Sequence, residues 1–135
     1  MPYGRNLTRP RVSIVLPTLN EARNLEVLIP DLPERHEVVL VDGGSTDDTI
    51  EVARDLLPDV KVIQQTRRGK GNALVCGMLA ATGDIVVTLD ADGSADPCEI
   101  PAFVEALTSG ADFAKGSRYL PGGGSDDLTK LRRAG

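Results

Sequence analysis

The sequence is poor in aromatic residues and in cysteine. Of its 135 residues, 3% are aromatic, none is tryptophan and two are cysteines. A core without large rings has to be built from Val, Ile, Leu and Ala, which is typical of a parallel sheet covered by helices. Cys76 and Cys98 lack a C-x-x-C or other metal-ligand spacing, so we expect the reduced thiols of a cytoplasmic protein.

Long apolar runs, a signal peptide and an excess of positive charge are also missing. No run approaches the ~18 residues of a membrane span. The first residues do not follow the charged, apolar and small-residue order of a secretory signal. The net charge of −5 gives no indication of a nucleic-acid partner. We therefore expect a cytoplasmic protein whose contact with a membrane is at most peripheral, on the cytoplasmic face.

The basic residues nevertheless form clusters. They are candidates for contacts with phosphate groups or a membrane surface, although such runs are also typical of a solvated face. The clusters are Arg5, Arg9 and Arg11; Arg67, Arg68 and Lys70; and Lys130, Arg132 and Arg133. The middle cluster includes Gly69 and Gly71, which would let backbone N–H groups approach an anion, with Lys70 adding charge. Its spacing is not that of a Walker A loop.

Apolar, β-branched runs alternate with segments of helical periodicity. The predicted strands are 12–16, 37–42, 60–63, 85–89 and 112–116, and the predicted helices are 21–29, one ending near 57, 73–81 and 97–108. Short connections and right-handed crossovers indicate an α/β fold with a doubly wound, mostly parallel sheet and helices on both faces. We expect a flexible basic arm at 1–11, a domain at 12–120, and a glycine-rich loop leading into a further segment at 121–135.

Local signals predict where several elements begin and end. Pro17 cannot donate to a ladder and is expected to end the first strand. Thr18 and Glu21 have the spacing of a capping box for the first helix. Ser45 and Asp48 have the spacing of a cap for the second helix.

The strand 85–89 ends on two carboxylates, Asp90 and Asp92, which are separated by Ala91. Like charges this close repel, unless a cation favours both ionised forms. A hard divalent ion such as Mg²⁺ or Mn²⁺ is the natural occupant, because it takes oxygen ligands and fills its other positions with water and nucleotide phosphates. The alternative is that both acids are only turn and cap residues.

Polar residues follow three of the predicted strands. The segment 17–21, Asp42 and the pair Asp90 and Asp92 all stand at strand carboxyl ends, where open α/β sheets bind their ligands. Their convergence on one crevice favours the metal site over the turn. The first strand is not followed by G-x-G-x-x-G, which argues against a nicotinamide cofactor.

Five motifs occur in order along the chain. They are P-T-L-N-E at 17–21, V-D-G-G-S-T-D at 41–47, G-K-G-N-A-L at 69–74, D-A-D-G at 90–93 and G-S-R-Y at 116–119. Together they resemble the motifs of family 2 glycosyltransferases, with the closest match to dolichyl- or polyprenyl-phosphate mannose synthases. The resemblance implies a GT-A fold, a GDP- or UDP-linked sugar donor and Mg²⁺ or Mn²⁺. Relatives continue beyond this length, so we expect the donor-binding part of a longer enzyme.

The resemblance also implies roles for individual residues. The residues expected to contact the donor nucleotide are Pro17, Leu19, Glu21, Leu40 and Asp42, with Lys70 adding charge. Those expected at the metal and diphosphate are Asp90, Ala91 and Asp92, with Asp90 and Asp92 as metal ligands. Asp92 and Arg118 are the expected catalytic residues, and Arg118 would reach phosphate.

The expected function is metal-dependent, inverting transfer of a sugar, with mannose from GDP-mannose as the best guess, to a polyprenyl or dolichyl phosphate. A metal on the diphosphate makes the nucleoside diphosphate a better leaving group. A lipid phosphate is already ionised at neutral pH, so no general base is required, which suits a chain whose one histidine is His36. The alternatives are a non-catalytic nucleotide-sugar-binding fragment and a haloacid-dehalogenase-type phosphatase, whose first motif resembles residues 89–94.

Overall fold

The computed structural model describes residues 11–33, 36–94 and 96–108. The strands in this part are β1 (Val12–Thr18), β2 (Glu37–Asp42), β3 (Lys61–Gln64) and β4 (Ile85–Thr88). All of them pair in parallel, in the order β3, β2, β1, β4. The predicted strand 112–116 and the two predicted terminal segments lie outside the described residues, apart from Arg11.

The helices of the same part are α1 (Ala22–Leu28), α2 (Thr49–Leu56), α3 (Lys70–Ala80) and α4 (Ile100–Thr108). Short 3-10 turns follow α1 at Ile29–Asp31 and precede α4 at Pro97–Glu99. The start of α3 lies before the predicted Ala73, because Gly71 and Asn72 are tolerated in a first turn, whose N–H groups have no intrahelical acceptor. None of the helices in the described ranges has the length and apolar character needed to cross a lipid bilayer.

The sheet carries apolar layers on both faces. Ile14 and Leu16 of β1 point to one face, where they pack with α1, α2 and α4. Val15 points to the other face and packs with α3 through Ala73. This alternation is the period of two expected of a strand buried on both sides. The predicted parallel α/β sheet with helices on both faces is therefore confirmed.

Pro17 lies inside β1 rather than at its end, so this prediction was wrong. The Val15 carbonyl accepts from the Leu89 amide, so the polar backbone groups of Val15 face β4. Two residues later the backbone faces the same way, and the N–H that proline lacks would point toward β4. Since β4 ends at Thr88, the missing donor removes no ladder bond.

The predicted helix caps are also wrong. Thr18 donates its hydroxyl to Asp42 at 3.1 Å, and Ser45 donates to the same carboxylate at 2.6 Å. Within the described ranges, neither Glu21 at the start of α1 nor Asp48 at the start of α2 forms a side-chain cap bond. Asp47 instead accepts from the first amide of each helix, that of Ala22 at 3.2 Å and that of Thr49 at 2.9 Å. An ionised, buried acceptor forms stronger hydrogen bonds than a solvated helix end, so Asp42 orients both hydroxyls.

Glu37 joins three elements at the amino end of the sheet. Its carboxylate accepts from the Ser13 hydroxyl at 2.6 Å, the Thr82 amide at 2.8 Å and the Lys61 ammonium at 3.1 Å. Burial opposes its ionisation, but these donors outweigh burial and lower the pKa of Glu37 from 4.5 to about 2. The ionised side chain is therefore part of the fold.

Replacing Gly77 by alanine is expected to lower the free energy of unfolding by about 1–3 kcal/mol. A Cβ there would lie 2.3 Å from Cγ1 of Val15 and 3.1 Å from Cγ2 of Val41, so α3 would have to move off the sheet. The control is Gly71→Ala in the same helix, where a Cβ meets nothing within 4 Å. Alanine should stabilise that site by ~0.5–1 kcal/mol. Equal effects of the two substitutions in urea unfolding would contradict the close contact.

Glu37→Gln is expected to lower the free energy of unfolding by about 1–3 kcal/mol at pH 7. The hydroxyl, amide and ammonium donors around position 37 would then face a neutral amide instead of a carboxylate. The folded pKa of Glu37 lies below its unfolded value, so the ionised form stabilises the fold above pH 4.5 and this contribution is lost as the pH falls toward about 2. The difference between wild type and variant should therefore shrink over that range. Urea unfolding at several pH values measures it, and a difference independent of pH would count against the assignment.

Candidate functional site

One pocket of about 620 Å³ lies at the carboxyl ends of β1, β2 and β4, beside the first turn of α3. Its walls come from four separate segments of the chain. The lining residues are Pro17, Thr18, Leu19, Glu21, Gly43, Gln65, Arg68, Gly69, Lys70, Ala73, Asp90, Ala91 and Asp92. Parallel strands bring these ends together, and this edge is where such sheets bind ligands.

Asp90 and Asp92 both line this pocket, on the turn that follows β4. The Ser94 amide donates to Oδ1 of Asp92 at 2.9 Å. The hydroxyl and amide of Ser94 lower the pKa of Asp92, and the nearby charge of Lys70 lowers it further. Asp92 is therefore held in its ionised form.

Lys70 faces the acids from the first residue of α3. Its Nζ lies 2.8 Å from Oδ1 and 3.0 Å from Oδ2 of Asp90. The ammonium thus contacts both oxygens of one carboxylate. The pair remains accessible, since the side chains of Lys70 and Asp90 are 45% and 34% exposed.

Two amides shape the loop between β3 and α3, which brings Arg68 to the pocket. Oδ1 of Asn72 accepts from the backbone amides of Thr66 and Arg67, both at 3.0 Å. Nε2 of Gln65 donates to the Gly69 carbonyl at 3.1 Å. These bonds define the path of the loop, and two members of the predicted basic cluster, Arg68 and Lys70, line the pocket whereas Arg67 does not.

Asp42 lies at the end of β2 but is almost completely buried, with 1% of its surface exposed. It accepts from the amides of Gly44 at 2.9 Å and Ser45 at 2.8 Å, in addition to the two hydroxyls described above. Burial raises the pKa of Asp42, but these bonds outweigh burial and lower it. The carboxylate fixes the loop that carries the pocket residue Gly43.

Asn20 connects this loop to the end of β1. Its backbone is left-handed, with φ 56°, a conformation that asparagine tolerates better than most residues. Its Oδ1 accepts from the amides of Thr46 at 2.7 Å and Asp47 at 3.2 Å, and its own amide donates to Oγ of Ser45 at 2.8 Å. These bonds fix the path of the segment 17–21 along the pocket.

Most of the predicted donor-site residues come together in this pocket, namely Pro17, Leu19, Glu21, Lys70, Asp90, Ala91 and Asp92. Leu40 is different, because it is fully buried in the core and does not line the pocket. The Asp42 carboxylate lies behind the wall. Arg118 lies outside the described residues. The ligand roles of all these residues stay predictions.

The three amide side chains that brace the pocket, those of Asn20, Gln65 and Asn72, carried no predicted role. Asn20 and Asn72 lie inside recognised motifs, but they act on the loops rather than facing the pocket. A signal for Asn20 was present, since asparagine before a helix is one of the few residues suited to left-handed backbone. Gln65 follows a short edge strand, and nothing in its neighbours indicates its contacts.

The acids at this pocket fit a hard divalent cation. They supply carboxylate oxygens, and Lys70 already occupies Asp90 as a positive counter-charge. Within 11–33, 36–94 and 96–108, no group of three or more His, Cys, Asp or Glu residues could hold a metal. Two protein carboxylates completed by water and nucleotide phosphates match the usual coordination of Mg²⁺.

The fold and the pocket define a class, the α/β proteins that bind ligands at the carboxyl ends of parallel strands. The chain belongs to glycosyl transferase family 2, whose sequence profile matches residues 13–134. The resemblance found in the motifs is thus confirmed.

Two relatives are similar over most of the chain. The chain is 40% identical over 121 residues to the dolichol-phosphate mannosyltransferase of Pyrococcus furiosus, covering 84% of this chain and 34% of that protein. It is 38% identical over 125 residues to the polyprenol monophosphomannose synthase of Mycolicibacterium smegmatis, covering 84% of this chain and 47% of that protein. The chain therefore spans between about a third and a half of these relatives.

Solved structures of glycosyltransferases also superpose on this chain. Glucosyl-3-phosphoglycerate synthase from Mycobacterium tuberculosis, in complex with Mn²⁺, UDP and glucosyl-3-phosphoglycerate, superposes with a TM-score of 0.67 at 30% identity, covering 81% of this chain and 46% of that one. A mannosyltransferase from Pyrobaculum calidifontis, in complex with GDP-Man and Mn²⁺, gives 0.55 at 38% identity, covering 66% and 30%. The predicted GT-A fold is confirmed, as is a divalent cation as a cofactor in this family.

Two substitutions of Asn20 should distinguish what its left-handed backbone costs in stability from what its side-chain hydrogen bonds contribute. Asn20→Ala is expected to lower the free energy of unfolding by about 2–4 kcal/mol, because it combines unpaired amides with left-handed strain. Asn20→Gly loses the same bonds without the strain and should be less destabilising by about 1 kcal/mol. Urea unfolding measures both. Stabilities within error of wild type for both variants would show that the brace contributes nothing.

Proposed function

We propose that this chain is the donor-binding part of a metal-dependent, inverting glycosyltransferase. The reaction is transfer of a sugar, mannose from GDP-mannose, to a polyprenyl or dolichyl phosphate. The observation that carries the proposal is one pocket lined by two acids, Asp90 and Asp92, by two bases, Lys70 and Arg68, and by residues of the segment 17–21. The names of the two mannose-transferring relatives support the choice of sugar and acceptor.

The nucleoside is assigned to the wall formed by 17–21. Leu19 lines that wall and is 56% exposed, which leaves its side chain available to pack on a base. Glu21 lines the same wall and supplies a carboxylate for ribose or base hydroxyl and amino groups. Asp42 and Leu40 support the wall from behind, through the loop after β2 and through the core.

The diphosphate is assigned to the gap between the acids and α3. Asp90 and Asp92 hold the divalent ion there, which when bound neutralises the charge that develops on the departing nucleoside diphosphate. Lys70 and Arg68 add positive charge from the protein at the same gap. Asp92 is suited to hold the divalent ion, because its lowered pKa keeps the carboxylate ionised.

The acceptor needs no base from the protein. A phosphate monoester oxygen is anionic at neutral pH and attacks the anomeric carbon directly. The new C–O bond forms on the face opposite the diphosphate, and the electron pair of the broken C–O bond leaves with the diphosphate, so the configuration inverts. Arg118 is assigned to hold the acceptor phosphate in line. A lipid acceptor places the protein at the cytoplasmic face of a membrane, as a peripheral contact.

Two other readings make different predictions. A binding fragment without activity agrees with a chain that covers 34% and 47% of its mannose-transferring relatives. A haloacid-dehalogenase-type phosphatase would need Asp90 as a nucleophile. Membership of the glycosyltransferase family favours sugar transfer over that chemistry.

The chain is expected to transfer radiolabelled mannose from GDP-mannose to detergent-solubilised polyprenyl phosphate when Mn²⁺ is present. Chelation of the metal should abolish transfer, and Asp92→Asn should lower kcat/KM by about 10²- to 10³-fold, because it removes charge stabilisation of the leaving group.

Arg118→Ala should lower transfer while GDP-mannose with Mn²⁺ still raises the Tm, since only the folded state binds the donor.

Three outcomes separate the readings. A rise in Tm with GDP-mannose and Mn²⁺ but no transfer would favour the binding fragment. Hydrolysis of a phosphate monoester that is lost in Asp90→Asn would favour the phosphatase. A larger rise in Tm with UDP-glucose than with GDP-mannose would refute the proposed donor.

A further inference from the structure

We infer that Lys70 is a built-in counter-ion of Asp90 that competes with the divalent cation and is drawn away by the donor's diphosphate. The nucleotide step of this inference rests on the proposed function. The competition itself concerns only residues of this chain and a metal ion.

The geometry puts the ammonium where a metal would bind. Nζ of Lys70 lies 2.8 Å and 3.0 Å from the two oxygens of Asp90, so it occupies both coordinating atoms of that carboxylate. Its charge also acts on Asp92, the second predicted ligand. A cation that enters between the acids therefore meets a positive charge at contact distance, which opposes its binding.

The same pair is easily broken. Lys70 and Asp90 are 45% and 34% exposed, and an ion pair this accessible to water is weak. The lysine side chain is long and flexible, whereas the loop that precedes it is held by the bonds from Gln65 to the Gly69 carbonyl and from the Thr66 amide to Asn72. The ammonium can therefore move within the pocket without any change in the fold.

A diphosphate supplies the alternative partner. Lys70, Arg68 and the acids line one pocket, so an anion bound beside α3 attracts the ammonium and leaves the Asp90 oxygens to the metal. Each ligand then favours the other through Lys70, in addition to any direct contact between them. Because linkage is reciprocal, the factor by which GDP tightens Mn²⁺ binding equals that by which Mn²⁺ tightens GDP binding.

The test is Mn²⁺ binding to the whole chain, measured by calorimetry and by the electron paramagnetic resonance of free Mn²⁺, with and without GDP. Without GDP, Lys70→Gln should bind Mn²⁺ about tenfold more tightly or better, because the competing charge is gone. GDP should tighten Mn²⁺ binding by a smaller factor in Lys70→Gln than in wild type.

One control keeps the positive charge at position 70, and the other removes a lysine charge far from the pocket. Lys70→Arg should behave like wild type. Lys61→Gln removes a lysine paired to Glu37 at 3.1 Å, at the opposite edge of the sheet, and should leave Mn²⁺ affinity unchanged. Circular dichroism checks that each variant is folded.

If Lys70→Gln binds Mn²⁺ no more tightly than wild type, the proposed competition is refuted. It is also refuted if neither wild type nor Lys70→Gln binds Mn²⁺. An equal effect of GDP in both forms overturns the release by the diphosphate. Absence of mannose transfer refutes the proposed function instead, and it leaves the Mn²⁺ result in force.

Discussion

The buried carboxylate of Asp42 holds together the two loops that build one wall of the pocket. It takes hydrogen bonds from the last residue of β1 and from the turn after β2, with 1% of its surface exposed. Since burial penalises the charge, the carboxylate depends on these donors, and the donors are positioned by the carboxylate. The loops are thus ordered as a unit. Asn20 adds a second connection between them, through the amides of Thr46 and Asp47.

The opposite side of the pocket depends on charge rather than on burial. Asp90 and Asp92 follow β4 and α3 begins on Lys70, and the fold brings these two segments together. Acids and basic side chains line the same pocket, a combination compatible with a ligand that carries both signs of charge, such as a metal-bound diphosphate. Acids alone would repel the phosphates, and bases alone would repel the metal. One wall is thus held by buried hydrogen bonds around Asp42, and the other by the exposed ion pair of Lys70 and Asp90.

Much of this arrangement could be predicted from patterns along the chain. Buried strands and amphipathic helices have local signals, and parallel connectivity then places every strand's carboxyl end on one edge. This rule predicted that Asp90, Asp92 and the segment 17–21 would meet. The caps of α1 and α2 could not be predicted in the same way. The hydroxyl of Thr18 donates to Asp42 on the neighbouring strand, and the hydroxyl of Ser45 donates back to the same carboxylate three residues earlier. Both hydroxyls follow a buried charge whose position depends on the packed sheet.

By itself the sequence determined the parallel α/β fold, the family and the edge of the sheet where the pocket lies, because each depends on periodicity or on motifs of neighbouring residues. Only the tertiary structure decided which polar residues face the pocket and which support it. It placed Leu40 in the core, turned Asp42 inward and set Lys70 on Asp90. These outcomes depend on burial and pairing between segments far apart in the chain, and such contacts exist only once the strands and helices have packed.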